Sequence, residues 1–168
     1  MAYLLDANVF IQAKNLHYGL DFCPAFWEWL IRENSNGTVL SVGQVGDELL
    51  AGDDELAEWA KHRGNEFFRE TDPATLPAFG EISEWVQAQN FEPAAVNTFL
   101  QVADYYLVAY AKAHGHTIVT HEVPSDSRRK IKIPTVCIGI GVLFISPYAM
   151  LRRERVRFIL GPSERSTT

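Results

Sequence analysis

With 168 residues and 47% hydrophobic content, including four Trp, ten Phe and six Tyr, the chain has the size and apolar content of one compact domain and is neither fibrous nor disordered. Its net charge of −6 argues against a broad basic surface for non-specific nucleic-acid binding, while leaving room for a local basic strip. No segment reaches the roughly 18 uninterrupted apolar residues of a membrane span, and Asp6 interrupts the stretch where a secretory leader would be apolar, so a cytoplasmic protein with no membrane partner is expected.

Tyr3-Leu4-Leu5 is a short apolar run ending at Asp6, and Val9-Phe10-Ile11 leads through Lys14-Asn15 into a polar loop, which predicts strand, sharp turn and short helix. From Pro24, the apolar residues Phe26, Trp27, Leu30 and Ile31 recur at helical spacing until Asn34 to Gly37 supply a stop. Thr38 to Val42 has the β-branched character of a strand, and Val45, Leu49 and Leu50 then form a helical stripe with Asp47 and Glu48 beside it. Asp53 to Arg63 reads as an amphipathic helix with its acids early and its bases late. Ile82, Trp85 and Val86 mark another helix. Pro93 opens a long one, with a break near Val102 and an end at Gly115. Thr117 to Thr120 is a strand, Glu122 to Lys132 a polar and basic stretch, Pro134 to Ile140 a further extended run, and Tyr148 to Phe158 the last helix. The expected organisation is one α/β domain over residues 1–160 with a mainly parallel sheet, followed by a flexible tail over 161–168. Cys23 and Cys137 stand in no disulfide or zinc-ligand pattern and are expected as buried thiols.

Asp6 directly follows the first strand and Glu122 lies just past the Thr117 to Thr120 strand, so both are expected at the carboxyl edge of a parallel sheet, where ligands bind. Asp104 lies within the apolar run Leu100 to Ala111, where a carboxylate is costly unless it is paired, solvated or bound to a cation. Glu48 follows the second strand on a helix that can lean towards the same cleft. None of these four acids has a Lys or Arg adjacent in sequence, and a hard dication, Mg²⁺ or Mn²⁺, is the natural partner of such a set. Two such ions roughly 4 Å apart would serve the hydrolysis of a phosphodiester.

Tyr3-Leu4-Leu5-Asp6-Ala7-Asn8-Val9-Phe10-Ile11 resembles the opening of PIN-domain nucleases: an apolar strand, an Asp and a small polar residue two places on. Ala103-Asp104 through Leu107, Ala109, Ala111 and Gly115 to Ile118-Val119-Thr120-His121-Glu122 resembles their second signature, an Asp opening a helix, a Gly ending it, and a strand delivering Thr and another acid. Glu122 departs from the commoner Asp, and Asp126 is a loose substitute for the acid that often follows. Tyr148-Ala149-Met150-Leu151-Arg152 is similar to a PIN-like branch in bacteria and archaea. The resemblance implies a three-layer α/β sandwich with helices on both faces of a mainly parallel sheet. It implies Asp6, Glu48, Asp104 and Glu122 as metal-binding, catalytic acids, with Asn8 and Thr120 orienting carboxylates and water. It further implies RNA as substrate and, since many relatives are toxins of toxin–antitoxin pairs, an antitoxin protein as inhibitor.

Simpler roles compete. Asp6 and Asp104 are both suited to helix capping, and Glu122 to a solvated loop. Arg128, Arg129, Lys130 and Lys132 form a basic strip where a phosphate backbone would lie, or simply a polar loop. Arg152, Arg153, Arg155 and Arg157 suit the end of a helix dipole. Trp27, Trp29, Trp59 and Trp85 are expected as core or interface anchors, and Trp27 with Trp29 suggests a face that a symmetric homodimer would cover. Two other functions stand beside the endoribonuclease. One is an inactive PIN-like interaction module. The other is a haloacid-type phosphatase, whose chemistry needs an acid where this chain has Asn8.

Overall fold

The computed structural model describes residues 1–161. Strands β1 (Tyr3–Leu5), β2 (Val39–Val42), β3 (Phe68–Arg69), β4 (Thr117–Val119) and β5 (Phe144–Ile145) form one all-parallel sheet in the order β3-β2-β1-β4-β5. The helices are α1 (Ala7–Gln12), α2 (Pro24–Ser35), α3 (Gly43–Leu50), α4 (Glu55–Lys61), α5 (Gly64–Phe67), α6 (Leu76–Ala88), α7 (Pro93–Phe99), α8 (Ala103–His114), α9 (Ile133–Ile140) and α10 (Pro147–Arg153). This is the expected PIN-like sandwich.

The three inner strands are buried along their whole length, which is why they read as apolar runs rather than alternating patterns. Ser41, the polar exception in β2, is tolerated because its hydroxyl donates to Leu5 O at 2.6 Å. From β1 the chain steps outward through β2 to β3, then returns to the other side of β1 as β4 and β5. Connections therefore diverge at the carboxyl ends of β1 and β4, opening a crevice between them.

The helix boundaries follow from local chemistry. Pro24 opens α2. Asp54 caps α4 by accepting from Ala57 N–H at 2.9 Å, and Ser146 caps α10 through Ala149 N–H at 3.1 Å. The long helix after Pro93 breaks between Phe99 and Ala103, as its pattern suggests, and Gly115 ends α8 with a φ of +67°.

Two sequence expectations change. Pro134 to Ile140 lies in helix α9 and not in a strand. An eight-residue apolar run is ambiguous by periodicity, and Pro134 in its first turn with Gly141 at φ +77° marks a helix. The strand of this region is β5, which the expected extended run missed. The last helix ends at Arg153, so Val156 and Phe158 belong to an irregular segment. The expected tail over 161–168 lies, apart from Gly161, outside the described residues.

The core is rich in aromatic rings. Phe10, fully buried, contacts Trp59, Phe67 and Phe68, and Trp59 meets Trp27 edge-on with centroids 5.0 Å apart. Trp27 and Trp29 are 2% and 5% exposed, so both are satisfied within the chain and give no reason for a homodimer. Cys137 is buried and its thiol is pushed up to about 12, leaving it unreactive. Among the described residues, no helix is long and apolar enough to cross a membrane.

Candidate functional site

Asp6 is delivered by β1 and locked to β4, since its N–H donates to Val119 O at 3.0 Å. It occupies the N-cap position of α1 but makes no side-chain capping bond. Its Oδ2 instead accepts from the Thr120 hydroxyl at 3.0 Å, and that hydroxyl oxygen accepts from Glu122 N–H at 3.1 Å. One buried threonine at the end of β4 thus fixes both the first acid and the backbone that carries the last. Glu122 Oε2 accepts from Ile133 N–H at 3.0 Å, at the positive end of α9. Asp104 is the second residue of α8, just past the break in the helix, while the N-cap position is filled by Val102 without a capping bond.

These segments enclose a cleft of about 610 Å³ at the carboxyl edge of the sheet, over the point where strand order reverses. Asp6, Asn8, Glu48, Asp104 and Glu122 line it, together with Gln44, Asp47, Arg129 and Lys130. Burial pushes the Asp6 carboxyl up to about 6, opposed by the Thr120 hydrogen bond and reinforced by the charges of Glu122 and Glu48. Burial raises Asp104 further, to about 7, with Asp6, Glu122 and Glu48 adding to the shift and Lys130 opposing it. Even the first turn of a helix, which favours an anion, does not offset this.

The expected basic strip divides. Arg129 and Lys130 reach the cleft, and Arg129 also lies 3.5 Å from Glu92. Arg128 and Asp126 line a separate groove with Trp85 and Phe91, so Glu48 and not Asp126 adds an acid to the cleft wall. Lys132 sits at the N-cap position of α9, outside the cleft lining. The loop is tied down where Glu92 N–H donates to Arg128 O at 2.9 Å and Ser125 N–H to Thr135 Oγ1 at 3.2 Å.

Sequence reading missed Gln44 and assigned Asp47 no part in the site. Gln44 precedes Glu48 by four residues on α3, a spacing that puts both on one helix face and could have flagged it. Its Oε1 is buried without a hydrogen-bond partner among the described residues. Such an orphaned acceptor costs about 1–3 kcal/mol unless something in the cleft satisfies it.

No three His, Cys, Asp or Glu side chains among the described residues stand close enough to hold an ion as they are placed. The convergence of Asp6, Asp104 and Glu122 is therefore on one cleft and not on a ready-made coordination sphere. The chemistry of the donor set nevertheless fits a hard dication: carboxylate oxygens from four segments, one on the buried Asp6 and one on the half-buried Asp104, and one unsatisfied amide oxygen.

The family model described as Domain of unknown function (DUF4411) matches residues 3–158. Among solved structures, a chain in the crystal structure of VapBC2 from Rickettsia felis bound to a DNA fragment from their promoter is similar, with a TM-score of 0.54 and 14% identity. The match covers 87% of this chain and 98% of that one, and at this identity it speaks to the fold. No curated protein matches the sequence.

Proposed function

Because the chain belongs to the family described as Domain of unknown function (DUF4411), whose description assigns no activity, we propose from the site itself that it is a divalent-metal-dependent endoribonuclease acting in the cytoplasm as the toxin of a toxin–antitoxin pair. The observation that carries this reading is the pair of acids Asp6, buried, and Asp104, half-buried, held near neutral pKa in an acid-lined cleft at the switch point of a PIN-like sheet. The toxin role and its antitoxin partner rest on the resemblance to PIN-domain toxins.

In this reading Asp6, Glu48, Asp104 and Glu122 hold Mg²⁺ or Mn²⁺, with Asp47 and Gln44 beside them. A dication bound there supplies Lewis-acid stabilisation of the phosphoryl oxygens and an acidified water for in-line displacement. Thr120 keeps Asp6 in one orientation, because its own hydroxyl is fixed by Glu122 N–H. Asn8, exposed at the lip, orients water or substrate. Lys130 and Arg129 hold the phosphate backbone against the acidic wall, while Arg128 and Lys132 lie outside the cleft lining.

Incubation of the pure protein with structured and unstructured RNAs in Mg²⁺, Mn²⁺ or EDTA tests this. Cleavage in either metal that EDTA abolishes is expected. Cleavage unaffected by EDTA, or none under any condition, overturns it. The engagement of Glu122 Oε2 by Ile133 N–H favours a second reading, a PIN-like interaction module without activity, in which Glu122 is a helix-capping residue. That module would show neither cleavage nor a rise in melting temperature with Mn²⁺.

A further inference from the structure

Beside the acidic cleft, at the same carboxyl edge but towards β5, three side chains from three separate segments meet. His17 ends a π-helical turn, Ala13–His17, that continues α1; His121 directly follows Thr120; and Tyr148 lies in the first turn of α10. His17 Nε2 and the Tyr148 hydroxyl are 2.9 Å apart, joining residues 131 positions apart in the chain. The two imidazoles lie 5.9 Å apart at a tilt of 36°, and Tyr148 stands edge-on to both. Val9, Ala13, Tyr18, Phe26 and Pro147 back this trio, leaving a space of only about 10 Å³ beneath it, so the platform is solid.

The acidic cleft does not need this trio for its own geometry, since Asp6 is held by Thr120 and Glu122 by Thr120 and Ile133. His17 is exposed although its hydrogen bond holds it in place, and the turn that presents it carries the i to i+5 bond from Tyr18 N–H to Ala13 O, an irregularity that tends to occur at functional sites. Arg152, exposed on α10, follows Tyr148 by four residues and so shares its helix face. His121 and Glu122 are consecutive, with Cα atoms about 3.8 Å apart, so the trio adjoins the wall of the cleft at Glu122.

We propose that His17, His121 and Tyr148 form a base-stacking subsite for single-stranded RNA, holding a nucleotide next to the one cut in the acidic cleft, with Arg152 on its phosphate. The subsite rests on the nuclease reading of the cleft and names its substrate as unpaired RNA. Flat rings with polar edges hold any base that is free to leave its own stack, and a paired helix offers none. On a chain of net charge −6, such stacking supplies affinity that a general basic surface does not.

The test compares the parent with His17→Ala, Tyr148→Leu and His17→Phe on oligoribonucleotides that share a cut site and differ in flank length, in Mg²⁺. His17→Ala and Tyr148→Leu should raise KM for the longer substrates about tenfold and leave kcat and the shortest substrate unchanged. His17→Phe keeps a ring, cannot bond Tyr148, and should retain the parental KM; if it behaves like His17→Ala, the trio is a structural staple and the subsite is overturned. Binding is read separately in EDTA with an oligoribonucleotide carrying a fluorescent adenine analogue that stacking quenches. Quenching by the parent that falls in His17→Ala supports the subsite even if the protein cuts nothing, an outcome that overturns the nuclease reading alone. Absent quenching, or equal quenching by parent, His17→Ala and Tyr148→Leu, overturns the subsite whether or not RNA is cut.

Discussion

Helix α8 has an acid in its first turn and a histidine in its last, roughly 15 Å apart along its axis. At the far end, His114 Nε2 lies 2.8 Å from Asp72 Oδ2, and Asp72 also accepts from the Thr75 hydroxyl at 2.7 Å and Thr75 N–H at 3.0 Å. The Thr75 hydroxyl, more than His114, holds the Asp72 carboxyl below its ordinary value. At the near end Asp104 has no bonded partner among the described residues, and burial with three neighbouring acids holds it at about 7. The same residue type is stabilised as an anion at one end and penalised as one at the other. Partnered acids maintain this fold. An acid without a partner is a cost the fold sustains, of the kind that gathers at functional sites.

Substitution at the two ends sharpens that contrast. Asp104→Asn should reduce RNA cleavage to background while leaving the metal-free protein at least as stable as the parent, because neutralising one of four clustered carboxylates relieves repulsion. Cleavage assays and melting curves in EDTA and in Mn²⁺ check both halves. A mutant that cuts at the parental rate, or melts far below the parent in EDTA, would make Asp104 a structural residue. Asp72→Ala should do the reverse, costing about 1 kcal/mol through the lost cap and leaving cleavage intact.

Between these effects lies Thr120→Val, which removes the donor to Asp6 and strands Glu122 N–H. Activity should fall about tenfold to a hundredfold, with a loss of about 1–2 kcal/mol in urea unfolding. Equal activity would separate Thr120 from the site.

The smallest effect is in pH. Asp6 and Asp104 hold protons more tightly folded than unfolded, so the folded chain binds more protons between their ordinary value near 4 and their folded values of about 6 and about 7. Their contribution to metal-free stability is complete below pH 4 and is lost as pH rises through 6 and 7. Melting in EDTA, with Asp104→Asn as control, should show that decline partly removed in the mutant, while the gain from Mn²⁺ should grow with pH because ligands must be deprotonated. A parent and mutant with superimposable pH profiles would show that Asp104 does not titrate in this range.

The sequence by itself determined the inner strands β1, β2 and β4, the break before Asp104 and the αL stop at Gly115, because continuous apolar runs, a Pro-opened helical period and a glycine needing positive φ are local signals. It also brought Asp6 and Glu122 to one edge, since parallel strands share a carboxyl end. Tertiary structure decided what local signals could not. The apolar run after Pro134 became a helix because its surroundings bury one face of a turn, and two-residue strands such as β3 exist only through the neighbour they pair with. Arg129 and Lys130 were separated from Arg128 and Lys132 by where a pinned loop points each side chain. Gln44 entered the cleft through the packing of α3, and His17 met Tyr148 across 131 positions. Contacts of that kind depend on three-dimensional approach, for which a linear pattern carries no period.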